Sequence, residues 1–305
     1  IKSTLKDGVF IGGDPVSELE SKLAEYVGVK HCITCANGTD ALTLVLMAWG
    51  IGPGDAVFVP DFTFFATAEA PAFLGATPIF VDVYKDTFNM SAESLEEAIK
   101  NIVKEGQLKP KVVIPVDLFG LPADYDKILP IAEKYSLKVL EDAAQGFGGS
   151  LKEKKAGSFG DAAITSFFPA KPLGCYGDGG AIFINDSKIA DKIKSLKVHG
   201  SNKTDKYDNV FVGMNSRLDT IQAAILGIKL SRFIEKELDL VNQHANYYQT
   251  HLRGNFTKPI HLKNTTSSWA QFTINSNSKD QRELILEELK HENIPVNIYY
   301  KKPLH

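Results

Sequence analysis

Short apolar runs alternate with amphipathic stretches through the first half of the chain. Pro15 and Ser17-x-x-Glu20 read as a helix start with a capping box, followed by an apolar stripe of Leu19, Leu23 and Tyr26. A short strand from His31 to Thr34 breaks at Ala36-Asn37-Gly38-Thr39-Asp40. The helix expected next, Ala41 to Trp49, is apolar nearly all round and therefore buried. After a turn at Gly52 to Asp55, AVFVP reads as strand, Phe64 to Leu74 as helix and PIFVDV as strand. Leu95, Ala98, Ile99 and Ile102 recur with helical spacing. KVVIPV, a helix from Tyr125 to Tyr135, and KVLED continue the alternation, and further strands are expected over Ala162 to Phe168 and Gly180 to Ile184. This order predicts an α/β domain whose mostly parallel sheet is covered on both faces, with its chemistry at the carboxyl edge of the strands.

Past Asp186 the pattern changes. Lys188 to Lys197 reads as helix, a polar, turn-rich segment follows, and Ser216 to Phe233 and Glu235 to Leu252 read as two more helices. Strand-like WAQFTI, helix-like QRELILEELK and strand-like IPVNIYY then predict a small α+β domain. We therefore expect a large domain over residues 1–230 and a small C-terminal one over 231–305. The abrupt end in YYKKPLH suggests that the small domain is incomplete.

Composition narrows the class. With 44% hydrophobic and 23% charged residues, the 305-residue chain is ordinary globular protein with a sizeable core. A net charge of −3 gives no nucleic-acid footprint. No apolar run approaches the roughly 18 residues of a membrane span, and IKSTLKDGVF lacks the features of a signal peptide. Cys32 and Cys35 form a C-x-x-C, but on a strand their odd spacing points them to opposite faces, so both read as core rather than metal ligands. No metal is expected, and a reducing, cytoplasmic setting is the default.

Candidate chemistry gathers at expected strand ends. Gly38 and Thr39 stand at a strand-to-helix junction, where backbone N–H groups and a hydroxyl suit a phosphate. Asp142 closes KVLED, and Gln145 lies one turn further. Lys171 sits between Pro169 and Pro172 just past a strand, followed by a glycine-dense segment. Taken alone, each has a plain reading: an N-cap turn, a surface ion pair, a loop lysine. Together they meet the needs of pyridoxal phosphate, which requires phosphate donors, an acid partner for its ring nitrogen and an amine for its aldehyde.

CANGTDAL, FTFFATAEA, FGLPADYD, LEDAAQGFG, TSFFPAKPLGCYGDGGAIF, GMNSRLDTIQAAIL and YYKKPLH resemble the DegT/StrS family of nucleotide-sugar aminotransferases. The resemblance covers essentially the whole chain. It implies a pyridoxal-phosphate-dependent transferase of fold type I, aspartate-aminotransferase-like, acting as a homodimer with a shared active site. It further implies that Lys171 forms the Schiff base, Asp142 holds the pyridinium nitrogen and Gln145 lies near the ring oxygen. Gly38, Thr39 and Ser166 would bind the phosphate, and Phe64 rather than Phe65 would stack on the ring. Asn215 would reach the phosphate from the neighbouring subunit, with Arg217 close to the substrate; Tyr300 and His305 would contact sugar or nucleotide. The lysine motif looks most like the branch that aminates a UDP-linked 2-acetamido-3-keto-glucuronate for cell-surface polysaccharide, with glutamate as donor. Arg217 would suit the sugar carboxylate, although Tyr299-Tyr300 departs from that branch, where some members have His before the tyrosine. Alternatives are another nucleotide keto-sugar, a sugar dehydratase, which characteristically carries His where Lys171 stands, and a non-catalytic regulator on the same fold.

Overall fold

The computed structural model describes residues 1–202, 204–205 and 207–305. In chain order its first half carries α1 (Lys2–Asp7), α2 (Asp14–Val27), β1 (His31–Cys35), α3 (Gly38–Trp49), β2 (Asp55–Pro60), α4 (Ala66–Phe73), β3 (Thr77–Val81), α5 (Ala92–Glu105), β4 (Lys109–Val113), α6 (Tyr125–Lys134) and β5 (Lys138–Asp142). Two-residue strands β6 (Ser150–Leu151) and β7 (Lys154–Lys155) precede β8 (Ala162–Ser166) and β9 (Gly180–Ile184). Then come α7 (Ser187–Leu196), α8 (Thr220–Arg232), α9 (Leu238–His251), β10 (Phe256–Thr257), β11 (Thr265–Thr266), β12 (Asn275–Ser276) and α10 (Lys279–His291).

Seven strands form one sheet in the order β1-β9-β8-β5-β4-β2-β3. From β8 to β3 the pairings are parallel, whereas β9 runs antiparallel to both β8 and β1. Side chains alternate between two apolar layers, as a strand's period of two requires. Ile33, Val57, Val112, Leu140, Ile164 and Ile182 face one layer, together with α3 and α7. Their neighbours face the other side: Phe58, Val113 and Val139 pack with α5 and α6, and Ala163 and Phe183 with α2 and α8. The C-x-x-C obeys the same rule. Cys32 is buried in the α2/α8 layer and Cys35 in the α3/α7 layer.

Local expectations are corrected at several places. The first long helix starts at Asp14, capped by Gly13, and Ser17 donates back to the Gly13 carbonyl. Glu20 makes no capping box; its Oε1 instead accepts the Thr34 N–H and Oγ1–H, each at 2.8 Å, and so ties α2 to β1. WAQFTI and IPVNIYY join no ladder; the strand residues that flank WAQFTI are Thr265–Thr266 and Asn275–Ser276, and Trp269 has a φ of 49°. Pro295 has no N–H to give a ladder, and Tyr299 and Tyr300 are held instead by aromatic contacts with Phe119 and Phe62. The helix expected from Ser216 begins at Thr220, whose N–H and Oγ1–H are taken by the Phe10 and Gly12 carbonyls. Near Ser231, where the domain boundary is expected within the helices, nothing is corrected: a π turn at Phe233–Glu237 joins α8 to α9.

Candidate active site

Where the parallel strands end on the α3 side, the chain encloses a cleft of ≈ 960 Å³. Its floor is backbone packed on backbone. α3 starts at Gly38, and the Asn37 side chain caps it by accepting the Asp40 N–H at 2.8 Å. A helix start leaves its first N–H groups without intrahelical acceptors, so those of Gly38 and Thr39 present a positive end to the cleft. A Cβ on Gly38 would lie 2.9 Å from Ser166 Cβ, and one on Gly180 would lie 2.5 Å from the Asn37 carbonyl. Glycine is therefore required at both places. The Ser166 hydroxyl, at the last position of β8, is thereby held against the start of α3.

The segment from β8 to β9 is a tight excursion. Phe167 donates its N–H to the Gly179 carbonyl, Cys175 donates to Phe167, and Lys171 N–H closes onto the Phe168 carbonyl at 2.8 Å. Lys171 lines the cleft, and burial lowers its pKa, with the charge of Asp142 opposing that shift. A lysine so placed has more free amine at neutral pH than one in solvent.

Asp142 ends β5 and is 5% exposed. Its Oδ2 accepts the Thr67 hydroxyl at 2.9 Å and its Oδ1 the Ala144 N–H at 3.1 Å. Burial raises its pKa, while those two bonds and the charge of Lys171 hold it down. Gln145 is oriented: its Oε1 accepts the Phe119 N–H at 2.7 Å, so its Nε2 donates to the Tyr300 hydroxyl at 3.2 Å. Burial pushes the Tyr300 pKa up to about 12, which keeps it a neutral donor at working pH.

Gly38, Thr39, Phe64, Asp142, Gln145, Ser166, Lys171 and Tyr300 all line this one cleft. Of the adjacent phenylalanines Phe64 lines it, and Phe65 is the N-cap of α4. Asn215, Arg217 and His305 are not among its lining residues. Asn215 is exposed beside buried Ser216, which accepts the Ala36 N–H. His305 turns to Asp61, with Nδ1 2.6 Å from Oδ2. Sequence reasoning missed Thr63, Asp178, Gln271 and Asn297, which also line the cleft, and Thr67 behind Asp142. Asp178 lies within the glycine-dense motif and Asn297 three residues before Tyr300, so both carried a positional signal; Thr67 carried none.

A helix-start cradle with a hydroxyl, a buried carboxylate and a depressed lysine amine fit pyridoxal phosphate as a donor set. Among the described residues no cluster suits a metal ion, and no helix is long and apolar enough to cross a membrane.

The model of the DegT/DnrJ/EryC1/StrS aminotransferase family matches residues 1–305. A UDP-2-acetamido-2-deoxy-3-oxo-D-glucuronate aminotransferase of Pseudomonas aeruginosa is 46% identical over 305 residues, covering 100% of this chain and 81% of the relative. A crystal structure of a DegT DnrJ EryC1 StrS aminotransferase from Brucella abortus superposes with a TM-score of 0.96 at 51% identity, covering 100% of this chain and 80% of that one. The putative sugar aminotransferase Spr1654 from Streptococcus pneumoniae, in its PLP form, superposes with a TM-score of 0.91 at 27% identity, over 99% of this chain and 81% of its own.

Proposed function

Because the chain belongs to the DegT/DnrJ/EryC1/StrS aminotransferase family, we infer that its cleft binds pyridoxal phosphate and transfers an amino group to a nucleotide-linked keto-sugar. The observation that carries this reading is the meeting of Lys171, Asp142 and the Gly38–Thr39–Ser166 cradle in one cleft. Bound there, the cofactor supplies an aldehyde that condenses with amines and a protonated ring that takes up electron density when a neighbouring carbon–hydrogen bond breaks. Gly38, Thr39 and Ser166 hold the phosphate. Asp142 keeps the proton on the ring nitrogen, and Gln145 directs an N–H toward the ring's oxygen side. The Lys171 amine, favoured in its free form by burial, would hold the cofactor at its aldehyde and could serve as the base that moves a proton.

The proposed sugar is a UDP-linked 2-acetamido-3-keto-glucuronate, with glutamate as amino donor, in the making of cell-surface polysaccharide. The Pseudomonas aeruginosa relative supports it. Arg217 would take the sugar carboxylate through two parallel hydrogen bonds. Asn215 and Arg217 stand outside their own chain's cleft, which supports a homodimer in which they serve the partner's site. Exposed Phe64, Phe168, Tyr176 and Ile228 give such a dimer apolar surface to cover. We place the enzyme in the cytoplasm, where its three free, buried cysteines stay reduced.

The test is direct. Purified protein takes up pyridoxal phosphate with a visible absorbance band, borohydride fixes the cofactor onto Lys171, and Lys171→Ala abolishes both the band and transamination. A panel of nucleotide keto-sugars then yields amine most efficiently from the 3-keto-glucuronate. A protein that stays colourless would refute the cofactor assignment, and preference for a sugar lacking the carboxylate would refute the substrate.

A further inference from the structure

Behind Asp142, on the opposite face of the sheet, two carboxyl groups are buried together. β5 alternates its side chains, so Asp142 faces the cleft while Glu141 faces the α6 layer and is 0% exposed. Asp117, four residues past β4 at the start of the Leu118–Gly120 turn, is also 0% exposed, and its carboxyl and that of Glu141 act on each other. Each oxygen of Glu141 has a donor: Oε1 accepts the Gly157 N–H and Oε2 the Phe159 N–H at 2.8 Å, which leaves one lone pair on each. Asp117 Oδ1 accepts the Ala123 N–H and the Tyr125 hydroxyl, each at 2.9 Å. Asp117 Oδ2 is the one oxygen of the four that no N–H or O–H reaches. It is walled in by Gly146, where a Cβ would lie 2.4 Å away.

An orphaned carboxylate oxygen buried against a second carboxylate is costly twice, in desolvation and in like-charge repulsion. One proton removes both costs. We propose that Asp117 is a positioning residue that carries a proton on Oδ2 and donates it to the Glu141 carboxylate. The pair then bears a single negative charge. Through it the 117–125 segment, β5 and the 157–159 turn that feeds β8 are clamped into one unit. Asp142 thereby keeps only one charge at its back and stays ionised toward the cleft. The titratable groups acting on Asp117 are Tyr125 from α6 and Glu141 and Asp142 from β5. Burial, the largest influence on each, raises the pKa of both Asp117 and Glu141, so the buried pair retains a proton; that it sits on Oδ2 follows from the hydrogen bonds above.

The sign follows from linkage. The folded pair holds a proton that the unfolded carboxyls release near pH 4, so the stabilisation is full below that pH and lost as pH rises through the pair's raised pKa. In Asp117→Asn the amide supplies a permanent donor to Glu141, and Oδ1 keeps both its bonds. For the cofactor-saturated enzyme, the melting temperature of wild type relative to Asp117→Asn should fall by about 2 °C per pH unit from pH 5 upward and level off once the pair has lost its proton. Glu141→Gln should lose roughly 2–5 °C at pH 7, because an amide cannot accept from both Gly157 and Phe159. Should Asp117→Asn fail to fold, the wild type alone decides: its infrared spectrum should carry a carboxylic-acid carbonyl band at pH 6 that is gone at pH 9. Parallel pH profiles for wild type and Asp117→Asn, a Glu141→Gln variant as stable as Asp117→Asn, or absence of that band would each overturn the proposal.

Discussion

Thr67→Val tests how Asp142 is kept ready for a ring nitrogen. The substitution is close to isosteric and removes one hydroxyl, 2.9 Å from Asp142 Oδ2, at a side chain that is 1% exposed. A hydrogen bond to a charged group contributes about 1.5–3 kcal/mol. Losing it leaves the carboxylate with the Ala144 N–H alone and raises an already raised pKa further. Pyridoxal phosphate held through an ionised Asp142 should then bind ~10–100-fold more weakly near pH 6. The sign can be worked out. The variant's Asp142 ionises at higher pH than the wild type's, so the deficit is largest at low pH and closes as pH rises through the variant's pKa. Cofactor dissociation constants measured by absorbance from pH 5.5 to 9 read this directly. Thr67→Ser, which keeps the hydroxyl, should track wild type. In an Asp142→Asn background Thr67→Val should cost much less. A deficit that is independent of pH, or equally large in the Asp142→Asn background, would show that Thr67 acts through packing and not through the carboxylate.

Gly38→Ala places a methyl 2.9 Å from Ser166 Cβ, an overpacking worth about 1–3 kcal/mol; it should weaken pyridoxal phosphate binding ~10-fold or more while sparing pyridoxal, which has no phosphate to seat. Equal losses for both ligands in a calorimetric titration would deny that this contact shapes a phosphate cradle. Tyr300→Phe removes a cleft hydroxyl that accepts from the Gln145 amide; KM for the keto-sugar should rise several-fold in steady-state assays while KM for the amino donor holds. A rise confined to the donor would reassign the residue.

The parallel sheet was legible because each strand is a short apolar run between turn residues, and KVLED and Gly180 to Ile184 coincide with β5 and β9. The meeting of Gly38, Asp142 and Lys171 in one cleft was legible for a related reason: each lies at or a few residues past a strand end, where position along the chain already implies position in space. Thr67 was hidden because its partner lies 75 residues away and its own surroundings read as plain helix. Glu20 defeats its local motif for the same reason, since a capping box is a local rule and the carboxylate found a better use on β1. WAQFTI and IPVNIYY show the converse: strand-like composition without a neighbour to supply a ladder. Asn215 and Arg217 do not line the cleft, which their place in the chain did not reveal.

β1 is an edge strand, and its one ladder partner in the large sheet is β9. The ribosome must therefore add roughly 150 residues after Cys35 before Ile184 emerges, a wait of about 8–30 s at ordinary elongation rates. Throughout that interval Ile33 and Cys35 lack their cover and the strand's free edge is open to any other nascent chain. The phosphate cradle, which needs β8 and β9 pressed on the start of α3, cannot exist sooner. Cofactor capture thus reports that synthesis has passed the point where the sheet closes, and a pause before residue 184 should be the vulnerable moment in the life of this chain.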